Sequence, residues 1–162
     1  METFAIPCAG AIIERRIGGV PHILVQTRMK PGGGDTNGKI EIPAGKIRAY
    51  ESMTDTVIRE VREETGLTVT KIAGVSDAAG VTITPEPFCI TQNLSDAYSI
   101  ILHTFLCCAD GEPLRETDES CDIRWISVDD LRRMIANEPE SFFFMDLPAL
   151  KKYLLLKGAT SS

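Results

Sequence analysis

The sequence has little positive charge, few aromatic residues and no long apolar run. Its 162 residues include 17 Lys and Arg against 23 Asp and Glu, which gives a formal net charge of −6. A protein that binds a nucleic acid polymer needs clustered cations for the phosphate backbone, so this balance argues against that class. The most apolar stretch, residues 98–108, is interrupted by Ser99, His103 and Thr104 and is shorter than the roughly 20 residues of a membrane-spanning helix. We therefore predict a protein without nucleic acid or membrane partners.

Cysteines in a useful spacing are also missing. The five cysteines are an odd number, include no Cys-x-x-Cys pair and lie mostly in apolar runs. Free thiols in a reducing compartment are the simplest interpretation. The N-terminus has no basic residue before Arg15, and Pro7 breaks its apolar stretch, so no signal peptide is predicted. A cytoplasmic location is therefore the expectation.

A composition of 43% hydrophobic and 25% charged residues is typical of a globular protein, and the length predicts a single domain over residues 1–162. Apolar and β-branched runs predict strands over 4–14, 22–29, 39–42, 68–73, 88–92, 99–108 and 123–127. Helical patterns follow over 52–65, 129–136 and 146–156. Residues 15–21 form a predicted turn, and residues 31–38 a flexible glycine-rich loop. Because strands and helices mix without a regular βαβ rhythm, the sequence predicts an α+β fold with a mixed sheet.

The helix over 52–65 is the most informative element. Ser52, with Asp55 three residues later, predicts its start, and Gly66 predicts its end. At about 100° per residue, an apolar stripe is predicted from Val57, Val61, Thr54, Thr65 and Ile58. Three carboxylates share another arc of the helix: Glu60, Glu63 and Glu64.

The Glu60 and Glu64 pair places like charges one helical turn apart, which is unfavourable in an isolated helix. One explanation is a solvated acidic face, partly neutralised by an Arg59 to Glu63 pair. The other is a divalent cation site, because Mg²⁺ binds carboxylate oxygens together with water and substrate phosphates. From the residues of the helix alone, both interpretations stay open.

A longer sequence pattern favours the second interpretation, the divalent cation site. Gly45, Glu51, the run Arg59 to Glu64, Gly66 and Leu67 match every specified position of G-x5-E-x7-R-E-U-x-E-E-x-G-U, where U is aliphatic. This segment resembles the Nudix box, and a chance match in a chain of this length is on the order of one in ten million. The resemblance implies an α/β/α sandwich with a mixed β-sheet, in which the box forms a loop, a helix and a loop. It also implies hydrolysis of a nucleoside diphosphate linked to another moiety.

The resemblance further implies a set of metal ligands. Glu60 and Glu64 are expected to bind Mg²⁺ or Mn²⁺, with Glu63 contributing to the same cluster. Glu51 either joins the cluster or pairs with the box arginine. Gly45 lies in a Pro-Ala-Gly segment, predicted as a turn, that is expected to offer a backbone carbonyl to the metal.

Catalytic roles are implied in the same way. Arg59 is expected to orient a box glutamate through charge-assisted hydrogen bonds. The metal activates a water for attack on phosphorus, and the base that accepts its proton is either Glu64 or Glu119, in the acidic loop 116–119. Glu63 belongs to the same catalytic cluster. Arg28, at the end of the second strand, is a hypothetical phosphate contact, with a solvated strand-end arginine as the alternative.

The substrate is less defined. The Pro-Ala-Gly at 43–45 resembles hydrolases of ADP-ribose and other nucleoside-diphosphate sugars more than the Gly-Gly version of nucleoside triphosphate hydrolases. Pro85 and Pro87 lie eighteen and twenty residues past Leu67, which departs from the spacing of about sixteen in the ADP-ribose group. The alternatives are a (d)NTP pyrophosphohydrolase that releases pyrophosphate and a non-catalytic nucleotide-binding module. A small nucleotide is the expected partner, and a homodimer is a further expectation.

Three other patterns are assigned structural roles. Residues 33–39 resemble the start of a phosphate-binding loop, but Ile40 stands where a Ser or Thr is needed for magnesium. His22 and His103 lie in strand-like runs without neighbouring carboxylates, so we predict structural roles for both. The aromatic run 142–145 is predicted as part of the core.

Overall fold

Strands dominate the first two thirds of the chain, and two of the three α-helices follow the last strand. The computed structural model describes residues 1–75 and 79–159, and these contain eight strands, three α-helices and two 3₁₀ turns. The strands are β1 Ile6–Ile17, β2 Val20–Arg28, β3 Ile40–Glu41, β4 Ala44–Lys46, β5 Thr68–Ile72, β6 Cys89–Gln92, β7 Ile100–Asp110 and β8 Ser120–Ser127. The α-helices are α1 Met53–Thr65, α2 Val128–Asn137 and α3 Leu147–Ala159, and the 3₁₀ turns are Gly34–Thr36 and Pro139–Ser141. Within the described residues, no helix has the length and apolarity needed to cross a membrane.

The sheet is mixed, as predicted. Its main path runs β3-β2-β1-β7-β5, with β8 paired to β2, β4 to β1 and β6 to β7. The β1 and β7 strands are parallel, from Ile6 opposite Ile100 to Ile13 opposite Cys107, and the other pairs are antiparallel. The prediction of an α+β fold with a mixed sheet is confirmed.

Helices cover both faces of the sheet because successive strand side chains point to opposite sides. On one face, Ala11 and Leu24 pack with Val57 and Val61 of α1. On the other face, neighbouring strand residues such as Ile12, Ile23 and Val25 pack with α2 and α3. The two apolar layers give the α/β/α sandwich that the box resemblance implied.

The connection between β1 and β2 is shorter than predicted. Gly18 and Gly19 have φ angles of 59° and 79°, which only glycine adopts freely, and they form a two-residue hairpin turn. The turn at the two glycines is confirmed, but the strands extend through Arg15 and Arg16 on one side and through Val20 and Pro21 on the other, so the predicted extent of 15–21 is wrong. The charged residues in this stretch lie on an exposed strand end, which a sequence pattern does not distinguish from a loop.

The glycine-rich loop 31–38 is fixed by hydrogen bonds near its base. The Asn37 side chain accepts a hydrogen bond from the Lys30 N–H at 2.9 Å and donates one to the Lys30 carbonyl at 3.0 Å. The Gly38 N–H donates to the Arg28 carbonyl at 2.8 Å. These contacts fix the backbone of Lys30, whose side chain enters the site described below.

Helix α1 begins and ends as predicted, and three residues of the predicted stripe, Val57, Val61 and Thr65, are buried, but the buried stripe is shifted. Ser52 Oγ accepts a hydrogen bond from the Asp55 N–H at 3.0 Å, and Gly66 closes the helix with φ 78°. Ile58, predicted in the apolar stripe, is 43% exposed. Thr56 and Glu64 are buried in its place. The buried arc is therefore rotated toward the glutamates, because β2 offers polar partners beneath them.

Candidate active site

A cavity of about 1100 Å³ brings the box glutamates together with residues distant in sequence. Its walls come from the end of β2, the β3 and β4 segment, α1, the loop before β8 and the segment before α3. Among the described residues that line it, seven are acidic and five are basic. The lining thus offers carboxylate oxygens together with nearby positive charges.

Arg59 connects three of the box carboxylates. Its guanidinium donates to both oxygens of Glu51, from Nε at 2.6 Å and from Nη2 at 2.9 Å. Nη1 donates to Glu60 Oε1 and, at 3.2 Å, to Glu63 Oε2. Hydrogen bonds from Arg59 are the main cause that lowers the pKa of Glu51 to about 2. Of the two roles open for Glu51, its contacts are those of the partner of Arg59.

Gly45 gives Glu60 its position, but by a different route from the predicted turn. Residues 44–46 form the short strand β4, paired with β1, so the turn prediction at this point is wrong. A β-carbon at position 45 would lie 2.1 Å from Glu60 Oε1, which is too close for any real contact. Glycine is required here because the carboxylate packs directly on the backbone.

Glu64 is the buried carboxylate of the box, only 3% exposed. Its Oε2 accepts hydrogen bonds from Gln26 Nε2 at 2.9 Å and from the Ala44 N–H at 3.1 Å. Its Oε1 lies 3.0 Å from Lys30 Nζ in an ion pair. Burial raises the pKa of Glu64 to about 7, although Lys30 opposes the shift. A carboxylate with this pKa exchanges its proton near neutral pH, as a general base must.

Beneath Glu64 lies a buried polar layer that the sequence patterns did not reveal. Glu41 is 3% exposed and accepts hydrogen bonds from Gln26 Nε2 at 3.3 Å and Arg28 Nη1 at 2.9 Å. Asp146 accepts from the Ile42 N–H at 3.0 Å, while its buried Oδ1 has no partner among the described atoms. Burial raises the pKa of Asp146 well above its ordinary value. The one local signal was a polar residue, Gln26, directly after the apolar run Ile23 to Val25.

Arg28 lines the cavity but is not a solvated strand-end arginine. It is 6% exposed, and its Nη1 pairs with Glu41. Nε donates to Thr36 Oγ1 at 3.0 Å, and the guanidinium lies 4.5 Å from the centroid of the Phe143 ring. Phe143 and the half-exposed Phe144 both line the cavity, so the aromatic run contributes to the site as well as to the core.

Glu119 faces the same cavity from the loop before β8. Its side chain is half exposed, and Oε2 lies 3.6 Å from Lys30 Nζ. Lys30 thus lies between Glu119 and Glu64.

The two histidines, His22 and His103, have contacts that suit structural roles, because each ring Nδ1 lies within 2.9 Å of a backbone carbonyl oxygen.

The donor atoms around α1 suit a hard divalent cation. Glu60, Glu63 and Glu64 supply carboxylate oxygens to one cavity, and Mg²⁺ prefers such ligands. The Glu60 carboxylate packs against the backbone of Gly45, in the space that a β-carbon would fill. Within residues 1–75 and 79–159, no three Asp, Glu, His or Cys side chains already converge as a metal-binding group. The contacts above show why: Arg59 and Lys30 each hold a box carboxylate.

Comparison with known proteins agrees with this geometry. A family model described as "NUDIX domain" matches residues 6–145. The chain therefore belongs to the Nudix family. Hydrolases of this family generally use divalent metal ions.

Individual relatives support the same assignment. An uncharacterized Nudix hydrolase of Schizosaccharomyces pombe, P35G2.12, is 50% identical over 50 residues, which are 31% of this chain and 23% of that protein. The chain thus spans about a quarter of this relative. The NUDIX domain of Shewanella oneidensis NrtR, a cocrystal structure with ADP ribose, superimposes with a TM-score of 0.68 at 17% identity, over 94% of this chain and 88% of that one. The Escherichia coli ORF135 protein gives 0.66 at 24% identity, over 95% and 91%. At these identities the two structures establish a shared fold.

Proposed function

We propose that this protein is a metal-dependent pyrophosphohydrolase that cleaves the diphosphate of a nucleoside diphosphate linked to another moiety, with ADP-ribose or a nucleoside-diphosphate sugar as the favoured substrate. The observation that carries the proposal is the placement of the Glu60 and Glu64 carboxylates on one cavity, the first seated on Gly45 and the second buried. The cocrystal of the NrtR NUDIX domain with ADP ribose supports the choice of substrate.

The box residues divide the work between holding a metal and positioning its ligands. Glu60 and Glu64 would hold Mg²⁺ or Mn²⁺, with Glu63 contributing and a backbone carbonyl at Gly45 as the expected further ligand. Arg59 acts as a positioning residue. Its Nε and Nη2 donate to the two oxygens of Glu51, and this bidentate pair fixes Nη1, which donates to Glu60. When bound, the metal neutralises diphosphate oxygens and activates a water molecule. Glu51 serves as the anchor of Arg59.

Two residues compete for the role of base. Glu64 has a pKa near 7, but three donors already surround its carboxylate. Glu119 is half exposed on the other side of Lys30 and has freedom to reach a water in the cavity. Both line the cavity at which the diphosphate would be attacked.

The test is a product-resolved activity screen with Mg²⁺ and Mn²⁺. Substrates are ADP-ribose, other nucleoside-diphosphate sugars, dinucleoside polyphosphates and (d)NTPs, with Glu64→Gln as the control variant. We expect metal-dependent release of AMP and ribose 5-phosphate, or the matching sugar phosphate, and its loss in Glu64→Gln. Release of pyrophosphate from a (d)NTP would move the assignment to the alternative substrate class. Binding of nucleotides without turnover by a folded protein would favour the non-catalytic module.

Arg28 is proposed as the phosphate contact at the edge of this site. Because Nε and Nη1 are engaged inside the protein, the contact would use the remaining nitrogen or exchange the Glu41 partner. Arg28→Lys should raise KM more than it lowers kcat. An unchanged KM would remove Arg28 from the substrate site.

The wider setting is also proposed. Residues 1–162 are taken as one domain that acts in the cytoplasm on a small nucleotide and pairs as a homodimer. Light scattering on the purified chain measures the pairing directly.

A further inference from the structure

Lys30 holds its charged end among three oxygen atoms from three separate segments. Nζ lies 3.0 Å from Glu64 Oε1 on α1, 3.3 Å from the Ala44 carbonyl oxygen on β4, and 3.6 Å from Glu119 Oε2 in the loop before β8. Two of these oxygens belong to carboxyl groups. An ammonium group thus sits where the box, the β4 segment and the later acidic loop meet.

The position of Lys30 is built into the backbone. The Asn37 side chain makes two hydrogen bonds to the main chain of Lys30: it accepts one from the N–H and donates one to the carbonyl oxygen. The side chain is only 21% exposed, so it extends into the cavity and not into solvent. Its flexible four-carbon stem still allows the ammonium to move within the cavity.

We propose that Lys30 is an internal counter-ion that competes with the divalent cation for Glu64, and that it must leave this carboxylate before the metal binds. The inference rests on the metal site of the proposed function and adds a residue outside the box that sets how tightly the site binds its metal.

The distances place the two cations close enough to repel each other. Mg²⁺ lies about 2.1 Å from a carboxylate oxygen, so an ion on Glu64 Oε1 would be no more than about 5 Å from the Lys30 ammonium, which lies 3.0 Å from that oxygen. That separation is well below the Debye length of about 8 Å at physiological salt, so solvent ions do not screen the repulsion. This repulsion favours displacement of Lys30 when the metal binds, and the ion pairs lost by that displacement weaken the apparent affinity for the metal.

The experiment is a titration of the full-length chain with Mn²⁺ alone, in which free Mn²⁺ is followed by electron paramagnetic resonance. We expect Lys30→Met to bind Mn²⁺ at least about tenfold more tightly than the native protein, within the usual range of coupling between two sites. Lys30→Arg keeps the charge and should stay within about threefold of the native Kd. Lys46→Met is the matched control, because it removes the same charge beside the same cavity from β4. It should change Kd by less than about threefold.

A purely structural role for Lys30 would give the opposite sign, because a loosened site binds metal more weakly. An unchanged or weaker Mn²⁺ affinity in Lys30→Met, or an equal gain in Lys46→Met, would overturn the inference. If Lys30→Met does not fold, as judged by its thermal transition without metal, Lys30→Gln takes its place with the same expectation.

Glu60→Gln separates this inference from the proposed function. If the native protein binds Mn²⁺ and Glu60→Gln does not, the metal site stands, and the Lys30 variants decide the counter-ion alone. If neither the native protein nor Lys30→Met binds Mn²⁺, the proposed metal site fails and the counter-ion fails with it.

Discussion

Alanine at position 45 tests whether the box needs glycine for space. The residue lies in β4, and its φ is not in the left-handed region, so an alanine backbone is acceptable there. The added β-carbon would lie 2.1 Å from Glu60 Oε1. The Glu60 carboxylate must therefore retreat by more than about 1 Å to reach an ordinary van der Waals contact.

The structure predicts a large functional effect with a small effect on stability. A displacement of about 1 Å in a catalytic group costs on the order of 100-fold in rate, or about 2.7 kcal/mol of transition-state free energy. The fold loses only the contact of Glu60 with Arg59, because a flexible side chain moves more easily than backbone. A partly exposed ion pair contributes no more than about 1 kcal/mol. This corresponds to a fall in Tm of roughly 2–4 °C in a chain of this size.

The assay measures kcat/KM with Mg²⁺ and the Tm of Gly45→Ala beside two matched glycine variants. Gly158 on α3 has open space around its Cα, so Gly158→Ala should keep full activity and gain about 0.4–1 kcal/mol of unfolding free energy. At Gly10, a β-carbon would lie 2.7 Å from Ala44 Cβ and 3.0 Å from the Pro43 carbonyl oxygen. Because backbone cannot retreat, Gly10→Ala should lose about 1–3 kcal/mol. Near-native kcat/KM in Gly45→Ala would refute the prediction that a β-carbon at position 45 displaces the Glu60 carboxylate from a catalytic position.

Two further predictions concern a candidate base and a distant carboxylate. Glu119→Gln should lower turnover more than tenfold if Glu119 is the base, and near-normal turnover would leave Glu64 as the candidate. Burial alone would raise the pKa of Glu14, but hydrogen bonds from Lys157 and Tyr153 lower it. The ionised Glu14 therefore stabilises the folded protein above pH 4.5, and this contribution is lost as the pH falls below that value. Urea unfolding at pH 6.5 and 3.5 should show a smaller acid-induced loss in Glu14→Gln than in the native protein, by up to about 1 kcal/mol. An equal loss in both proteins would contradict this assignment.

Features of the fold that depend on local chemistry were predictable from the sequence. The cap at Ser52 and the left-handed Gly66 fix α1 through contacts within a few residues, and the structure shows both. The bounds of α2 and α3 also agree with the helical patterns to within three residues. The β1–β2 turn was predicted at the right glycines but over too many residues, since charged residues continue an exposed strand end as readily as they form a loop.

The burial pattern of the site depends on contacts that no local pattern reports. The helical wheel placed Glu64 with Glu60 and Glu63 on an arc apart from the apolar stripe, but its buried carboxylate accepts a hydrogen bond from Gln26, 38 residues earlier. The contact of Asp146 with the Ile42 N–H joins positions 104 residues apart. The motif identified the candidate metal-binding carboxylates. Only the packing of β2 against α1 shows which of them is buried.

The charge balance of the cavity bears on the metal ion of the proposed function. The described lining residues include seven acids and five bases, but burial raises the pKa of two of the acids, Glu64 and Asp146, so the negative and positive charges nearly balance. A diphosphate substrate would add at least two negative charges. The cations nearest the box are already engaged, Arg59 by Glu51 and Glu60 and Lys30 by Glu64. A diphosphate that enters this cavity therefore finds these two cations engaged. In the proposed function a divalent ion would offset the charge of the diphosphate, and release of Lys30 from Glu64 would offer one more positive charge to the phosphates. In this view Lys30 keeps the buried carboxylate neutralised until metal arrives, and this explains why a lysine outside the box belongs in the site.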